Sequence, residues 1–499
     1  MIIMKNISKD LNDVFITSSV IILAVVLWGL VSMDSLANFS LAANNWVASH
    51  FDWFYIVIMN SCFIALLFLL LPRFKSFSLD KGSKGPEFSN ISWLAMLFTA
   101  GIGIGLLYYG VAEPLYHIAN PPNGALAHSK EAIELATSIT LLHYGLHVWA
   151  LYSLVGLGLI YYSSEYGLPT RISSLLYPII GKRVSGPIGS LVDIIAIVAI
   201  LFGVATTLGL GVQQINGGLE YLWGIPNDTF IQVGLIMSIT AVATLSVVTG
   251  VDKGILRLSL GTMVLSIALM VFVMAQSDLG SLLSDVARGG TQYVTKFIPL
   301  ALSQETLANT KWQQNWTTFY WAWWIAWAPF VGMFVARISR GRTLRQYIIG
   351  TMFAPAGFCC IWILVFAHKA IAVATSDGGA LLTAVNTQFS VAFFQFLDGL
   401  PISKVVSVMT LFLLVGFFVT SSDSGSLVVD MLASKGNPNP PVWQRVFWGL
   451  TEGCLAAILL LAGGLTALQA GSLVSTIPFG AIVLAVVVSL PIRLYKATK

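Results

Sequence analysis

TAGIGIGLLYYG, residues 99–110, lies inside an apolar run long enough to cross a membrane, yet it carries glycine at 101, 103 and 105. Each of these glycines costs roughly 1 kcal/mol of helix stability relative to alanine. Two readings account for that cost. Gly101 and Gly105 form a GxxxG pair that lets a second helix approach closely. Alternatively, the segment is unwound and its free backbone groups bind a substrate or an ion, as in the discontinuous helices of membrane carriers.

Outward from this stretch, composition fixes the class. The chain is 57% hydrophobic and only 10% charged over 499 residues, and its apolar runs have the roughly 20-residue length that spans a hydrocarbon core as helix. We place twelve spans near 14–34, 53–72, 92–117, 132–163, 188–213, 228–250, 255–277, 315–337, 346–372, 403–433, 441–464 and 468–492. Of the 26 Lys and Arg residues, 20 fall in alternate loops and the two tails. Basic residues accumulate on the cytoplasmic side, so both termini are expected there. The net charge of +4 follows from this topology and gives no sign of a nucleic-acid partner. Residues 278–314 are too polar to span and have apolar residues at helical spacing, which predicts an amphipathic helix on the outer surface. Residues 1–13 and 493–499 read as short cytoplasmic tails, and no removable signal peptide is expected at the start. The four cysteines sit in or near apolar runs and read as small hydrophobes, with no disulfide or zinc pattern.

Two further stretches carry chemistry. WTTFYWAWWIAWAPFVG, residues 316–332, holds five of the fifteen tryptophans. An interfacial belt explains Trp316 and Phe319, but rings spread over nearly three turns do not share one depth. HYGLHVWALY, residues 143–152, adds Tyr144, Trp149 and Tyr152. A quaternary ammonium has no N–H to donate, so ring faces are what compensate its desolvation. VTSSDSGS, residues 419–426, places hydroxyls and a carboxylate inside an apolar span, where they must face the protein interior or a cavity.

Together, GIGIGLLYYGVAEP, HYGLHVWALY, GVDKGI, WTTFYWAWWIAWAPFVGMFVARISRGRT and TSSDSGS resemble the betaine/choline/carnitine transporter family over essentially the whole chain. The resemblance implies an all-α polytopic membrane protein. Two peripheral helices (14–90) precede two inverted five-helix repeats (91–277 and 315–492) of the fold shared with sodium-coupled amino-acid symporters. It also implies a homotrimer in the bacterial cytoplasmic (inner) membrane. Carried over residue by residue, it implies substrate contacts at Tyr144, Trp149, Tyr152, Trp323, Trp324 and Trp327. Backbone N–H groups around Gly101, Gly103 and Gly105 would meet a carboxylate. A sodium site would use carbonyls of Thr99, Ile102 and Phe417 with the hydroxyls of Thr420 and Ser421. A further sodium site of some members uses two threonines where this chain has Ile200 and Val204, and is expected to be lost. Glycine betaine carriers have tryptophan at the position of Tyr144.

The expected function is sodium-coupled import of a zwitterionic methylated onium solute, most simply the osmoprotectant glycine betaine. Gly105 stands where proton-coupled choline carriers of the family place an aspartate, which favours the zwitterion, whereas HYGLH lies closer to choline carriers. Choline, dimethylsulfoniopropionate and carnitine remain alternatives, with sodium or proton coupling, as does a receptor that binds without moving its ligand. No catalytic constellation is found, so an enzyme is not expected, and no cofactor beyond the coupling sodium. His143 and His147 have zinc-pair spacing but lack a third ligand. Glu113, Asp193 and Asp423 could relay protons, but structural pairing is the simpler role for each. Arg337, Arg340, Arg342 and Arg345 are chiefly a topology signal that could also form a cytoplasmic gate or meet anionic lipid.

Overall fold

The computed structural model describes residues 11–75, 77–79, 85–101, 103–248, 252–303 and 310–498. These described residues are all helical apart from loops and one isolated β-bridge between Ser78 and Thr343. Two helices open it, α1 (Asp13–Val31) and α2 (Met33–Leu69). The glycine stretch then yields α3 (Asn90–Gly101) and α4 (Ile104–Ala119). After a loop come α5 (Lys130–Tyr144), α6 (Leu146–Tyr166), α7 (Pro187–Trp223), α8 (Thr229–Val248) and α9 (Asp252–Ala275). A helix over Leu279–Ala301, α10, precedes α11 (Phe319–Ile338) and α12 (Ala354–Ser376). Two short helices, Ala380–Thr387 and Ala392–Asp398, lead to α13 (Ser403–Ala433) and α14 (Val442–Ala497).

The structure corrects the expected arrangement of spans. Among the described residues nine helical segments, not twelve, are long and apolar enough to cross a membrane. Three local causes account for the difference. The glycine stretch divides span 92–117 into helices of 12 and 16 residues, each shorter than a hydrocarbon core requires. Within span 228–250, the described residues count only as the shorter apolar helix Thr229–Leu245. Spans 441–464 and 468–492 form one helical segment, α14, that is interrupted where Gly463 (φ −155°, ψ 20°) and Gly464 (φ 59°, ψ −141°) leave helical geometry, and it counts once among the nine. Two inverted five-helix repeats are likewise not seen among the described residues. Three of the nine segments fall in 91–277 and four in 315–492.

Burial sorts the helices into centre and rim. Almost all of α6 is buried, as are most of α7 and α11, whereas α1 and α9 show apolar side chains outward, with Val31 and Val264 exposed. Apolar exposure of this kind is what a lipid-facing surface presents. α2 begins some twenty residues before the expected span, because the segment following Met33 continues as helix through Asn44 and Asn45. Its 37 residues reach about 55 Å at 1.5 Å each, well beyond a hydrocarbon core of about 30 Å.

Candidate functional site

Two backbone breaks face one another at the centre of the molecule. At the first, Gly103 is extended (φ −165°, ψ −174°) and caps the start of α4. At the second, α5 stops at Tyr144 and α6 starts at Leu146, with Gly145 (φ −90°, ψ −137°) between them. A Cβ at Gly145 would lie 2.5 Å from the Leu141 carbonyl oxygen and 2.6 Å from the Tyr293 hydroxyl, so only glycine fits. Breaking a helix leaves carbonyls without intrahelical donors. One is used here: the Trp324 indole N–H donates to the His143 carbonyl at 2.8 Å. On the other side of the break, the Leu146 N–H donates to the Tyr293 hydroxyl at 3.3 Å.

The breaks bring rings around Gly105. The Tyr144 hydroxyl donates to the Gly105 carbonyl at 3.0 Å. A Cβ at Gly105 would stand 3.1 Å from the Trp323 ring and 3.3 Å from the Tyr144 hydroxyl, so a larger residue would push into the rings. Phe319, Trp323 and Trp324 stack in sequence on α11, with centroids 5.7 and 4.6 Å apart and interplanar angles of 12° and 16°. Tyr144 meets Trp324 edge-on at 5.5 Å, and Tyr109 meets Trp323 at 6.2 Å. Trp324 and Trp327 are half-buried, while Trp323 is buried.

A residue that sequence reasoning missed holds this group in place. The Thr207 hydroxyl of α7 accepts the indole N–H of both Trp323 (3.0 Å) and Trp327 (3.1 Å), and donates to the Gly203 carbonyl at 3.0 Å. Gly203 permits the contact, since a Cβ there would come within 2.8 Å of the Ala326 Cβ. The pair Gly203 and Thr207, small residues four apart in an apolar span, was the available signal. Trp149 and Tyr152 form a separate T-shaped pair at 5.6 Å, and among the described residues no ring contact joins them to Tyr144 or Trp324. Phe319 departs from the interfacial role expected of it, whereas Trp316 is half-buried. Trp316 packs on His117 at 4.5 Å and Tyr116 at 5.0 Å, and Phe319 is buried against Trp323.

Behind the rings lies a polar network. Glu113 Oε1 is 2.7 Å from His143 Nδ1 and 3.5 Å from His117 Nε2, and its other oxygen accepts the Tyr320 hydroxyl. The Tyr320 and Tyr144 hydroxyls are 3.2 Å apart, with Tyr320 donating its proton to Glu113 and Tyr144 donating to the Gly105 carbonyl, so the carboxylate and the ring site meet at two adjacent phenols. His143 Nε2 lies 3.0 Å from the Thr317 hydroxyl and His147 Nε2 3.3 Å from Asn60 Oδ1, so the two histidines of the zinc-like spacing turn to different partners. The ligand atoms of Glu113, His117 and His143 instead gather within 4.8 Å, with Glu113 and His117 one turn apart on α4 and His143 brought in from α5. The other two acids are paired: Asp193 with Arg171 at 3.3 Å and Asp423 with Arg445 at 2.8 Å. Arg342 is also buried, 3.7 Å over the Trp93 ring and donating to Asn90 at 2.7 Å, which ties the start of α3 to the loop after α11.

Of the expected sodium ligands, Phe417 is buried, and Thr420 and Ser421 are half-buried on α13. The Thr420 hydroxyl donates to the Gly416 carbonyl at 2.9 Å, which leaves its lone pairs available. Ile102 and the side chain of Thr99 lie outside the described residues, as do Gly250 and Val251 of GVDKGI; Gly101 is described only as the last residue of α3.

A multi-pass helical bundle with a glycine-broken helix facing stacked rings defines a membrane carrier rather than a catalyst. The chain belongs to the BCCT family of betaine/carnitine/choline transporters, whose family model matches residues 13–499. It is 42% identical over 473 residues to a glycine betaine transporter of Acinetobacter baylyi, covering 95% of this chain and 71% of that one. It is 38% identical over 484 residues to the glycine betaine transporter OpuD of Bacillus subtilis, covering 97% and 94%. To the high-affinity choline transport protein of Escherichia coli it is 39% identical over 493 residues, covering 97% and 72%. The protein is therefore a secondary transporter of a betaine- or choline-like onium osmolyte, not an enzyme.

Proposed function

We propose that the protein imports glycine betaine by sodium symport, with the trimethylammonium group held against Tyr144 and Trp324, Trp323 backing Trp324 from behind, and the carboxylate at the break around Gly103. The observation that carries this reading is the contact of Gly105 with both Trp323 and Tyr144. It puts the start of α4 beside the ring faces, so one small molecule can touch both. Ring faces favour an onium by about 0.5–2 kcal/mol each. Backbone N–H groups at the start of a helix favour an anion. A solute carrying both charges uses both features, whereas choline uses only the rings.

Trp327, Trp149 and Tyr152 complete the substrate path in this proposal. Thr420 and Ser421, with the Phe417, Thr99 and Ile102 carbonyls, supply the hard oxygens that suit sodium. The relatives include carriers named for glycine betaine and one named for choline, and the absent side chain at Gly105 favours the former. A competition panel tests the choice. Glycine betaine, choline, carnitine and dimethylsulfoniopropionate are titrated against labelled betaine bound to purified protein, with sodium or with potassium. Betaine should compete at least tenfold better than choline, and binding should weaken in potassium. Choline competing better, in either ion, would overturn the substrate assignment.

A further inference from the structure

One face of α10 runs along the break between α5 and α6. Among the described residues α10 is not one of the nine apolar segments, and it packs on α5 and α12. Gly289, Tyr293, Phe297 and Ala301 follow one another at every fourth position, which puts them on one side of the helix. A Cβ at Gly289 would stand 2.4 Å from Leu364 of α12 and 3.5 Å from Thr137 of α5, so both helices hold α10 close. Phe297 stacks on His147 of α6, with centroids 4.9 Å apart and 18° between the planes. The Ala301 carbonyl accepts the Asn60 amide of α2 at 2.8 Å, and Asn60 Oδ1 lies 3.3 Å from His147 Nε2. This face is therefore fixed on both sides of Tyr293.

Tyr293 itself is buried, and its hydroxyl accepts the Leu146 N–H at 3.3 Å. That N–H is one of the donors a helix start leaves without intrahelical partners. Inside a membrane bundle such a donor needs an acceptor from elsewhere in the protein. The missing Cβ of Gly145 makes the room, since a Cβ there would be 2.6 Å from the same hydroxyl. Across the break, Trp324 binds the His143 carbonyl. A side chain of α10 and one of α11 thus hold residues 146 and 143, and Tyr144 stands between them. Packing does not require the hydroxyl, because phenylalanine would keep the edge-on contact that Tyr293 makes with Phe297 at 5.5 Å.

We propose that Tyr293 is a positioning residue of the onium site: its hydroxyl fixes the break so that Tyr144 stays against Gly105 and Trp324. It acts through Leu146 and Gly145 and does not touch the substrate. This inference rests on the reading of Tyr144 and Trp324 as the rings that meet the onium.

The test compares wild type with Tyr293→Phe, Trp324→Phe and the double variant, all purified at full length. Hydrogen exchange read by mass spectrometry on the substrate-free protein reports the brace directly. In Tyr293→Phe the amides of residues 145–148 should exchange about tenfold faster, while the rest of α6 stays protected. Betaine affinity, read by fluorescence titration, should fall about fivefold with circular dichroism unchanged. In the double variant the loss should be about threefold smaller than the product of the single losses, because either change already frees the break. Unchanged exchange at 145–148 would overturn the inference. So would faster exchange with betaine affinity intact, or losses that simply multiply. Wild-type protein that binds choline but not betaine would refute the betaine reading alone, and the same ratios measured with choline would then decide the role of Tyr293. Wild-type protein that binds neither would refute the ring site and this inference with it.

Discussion

Replacing Trp324 by alanine tests the ring site at the point where backbone and aromatic group meet. Trp324 stacks on Trp323 at 4.6 Å, meets Tyr144 at 5.5 Å and donates its N–H to the His143 carbonyl freed by the break at Gly145. Loss of one ring face in a desolvated site removes about 1–2 kcal/mol of cation–π attraction. Loss of the hydrogen bond that fixes the break adds about 1 kcal/mol. The sum of about 2–3 kcal/mol corresponds to a roughly 30- to 150-fold weaker affinity for betaine. Trp324→Phe keeps a ring but not the N–H, so it should lose only about fivefold, the equivalent of ~1 kcal/mol. Intrinsic tryptophan fluorescence titrated with betaine reads both, with circular dichroism confirming the fold. An alanine variant that is folded and within threefold of wild type would refute the reasoning, as would a phenylalanine variant as damaged as the alanine one.

Other expectations follow from the same contacts. Thr207→Val leaves the indole N–H groups of Trp323 and Trp327 without their shared acceptor, so betaine affinity should fall about tenfold in the same titration; a loss of thermal stability alone, with affinity intact, argues against a positioning role. Gly145→Ala forces a methyl to within 2.5 Å of the Leu141 carbonyl oxygen, so the thermal midpoint should drop by several degrees, reflecting roughly 1–3 kcal/mol of overpacking; an unchanged midpoint contradicts the geometry of the break. Arg342→Lys cannot reproduce the planar stack on Trp93 together with the bonds to Asn90 and the Phe88 carbonyl, and it should lower stability without altering the substrate preference measured by competition.

How much of this was legible in the sequence depended on distance along the chain. The glycine stretch declared a weak helix, and the rings of 316–332 declared a need for ring faces, because both signals are local. The joining of Tyr144 to Gly105 and Trp324 is tertiary, set by the break at Gly145. In the sequence that glycine looked no different from any other in an apolar span. Thr207 carried only a small-residue spacing. His143 meets Glu113 and its i,i+4 neighbour His117 because α4 and α5 pack together, and the 30 residues between Glu113 and His143 hide the contact. The number of spans was misjudged for a different reason. Hydropathy marks apolar length but does not see where a helix breaks, so it joined α3 to α4 across their glycines; the boundary it placed inside α14 falls at Gly463 and Gly464, where the backbone does leave helical geometry.

The central claim is that a sodium gradient drives a zwitterionic onium inward through this chain. The direct measurement is uptake of labelled glycine betaine into liposomes containing the purified protein, with an inward gradient of sodium, of protons, or of neither. We expect accumulation above equilibrium only with the sodium gradient, abolished by Trp324→Ala and by Ser421→Ala. Equal accumulation under a proton gradient without sodium, or sodium-independent exchange alone, would contradict the account.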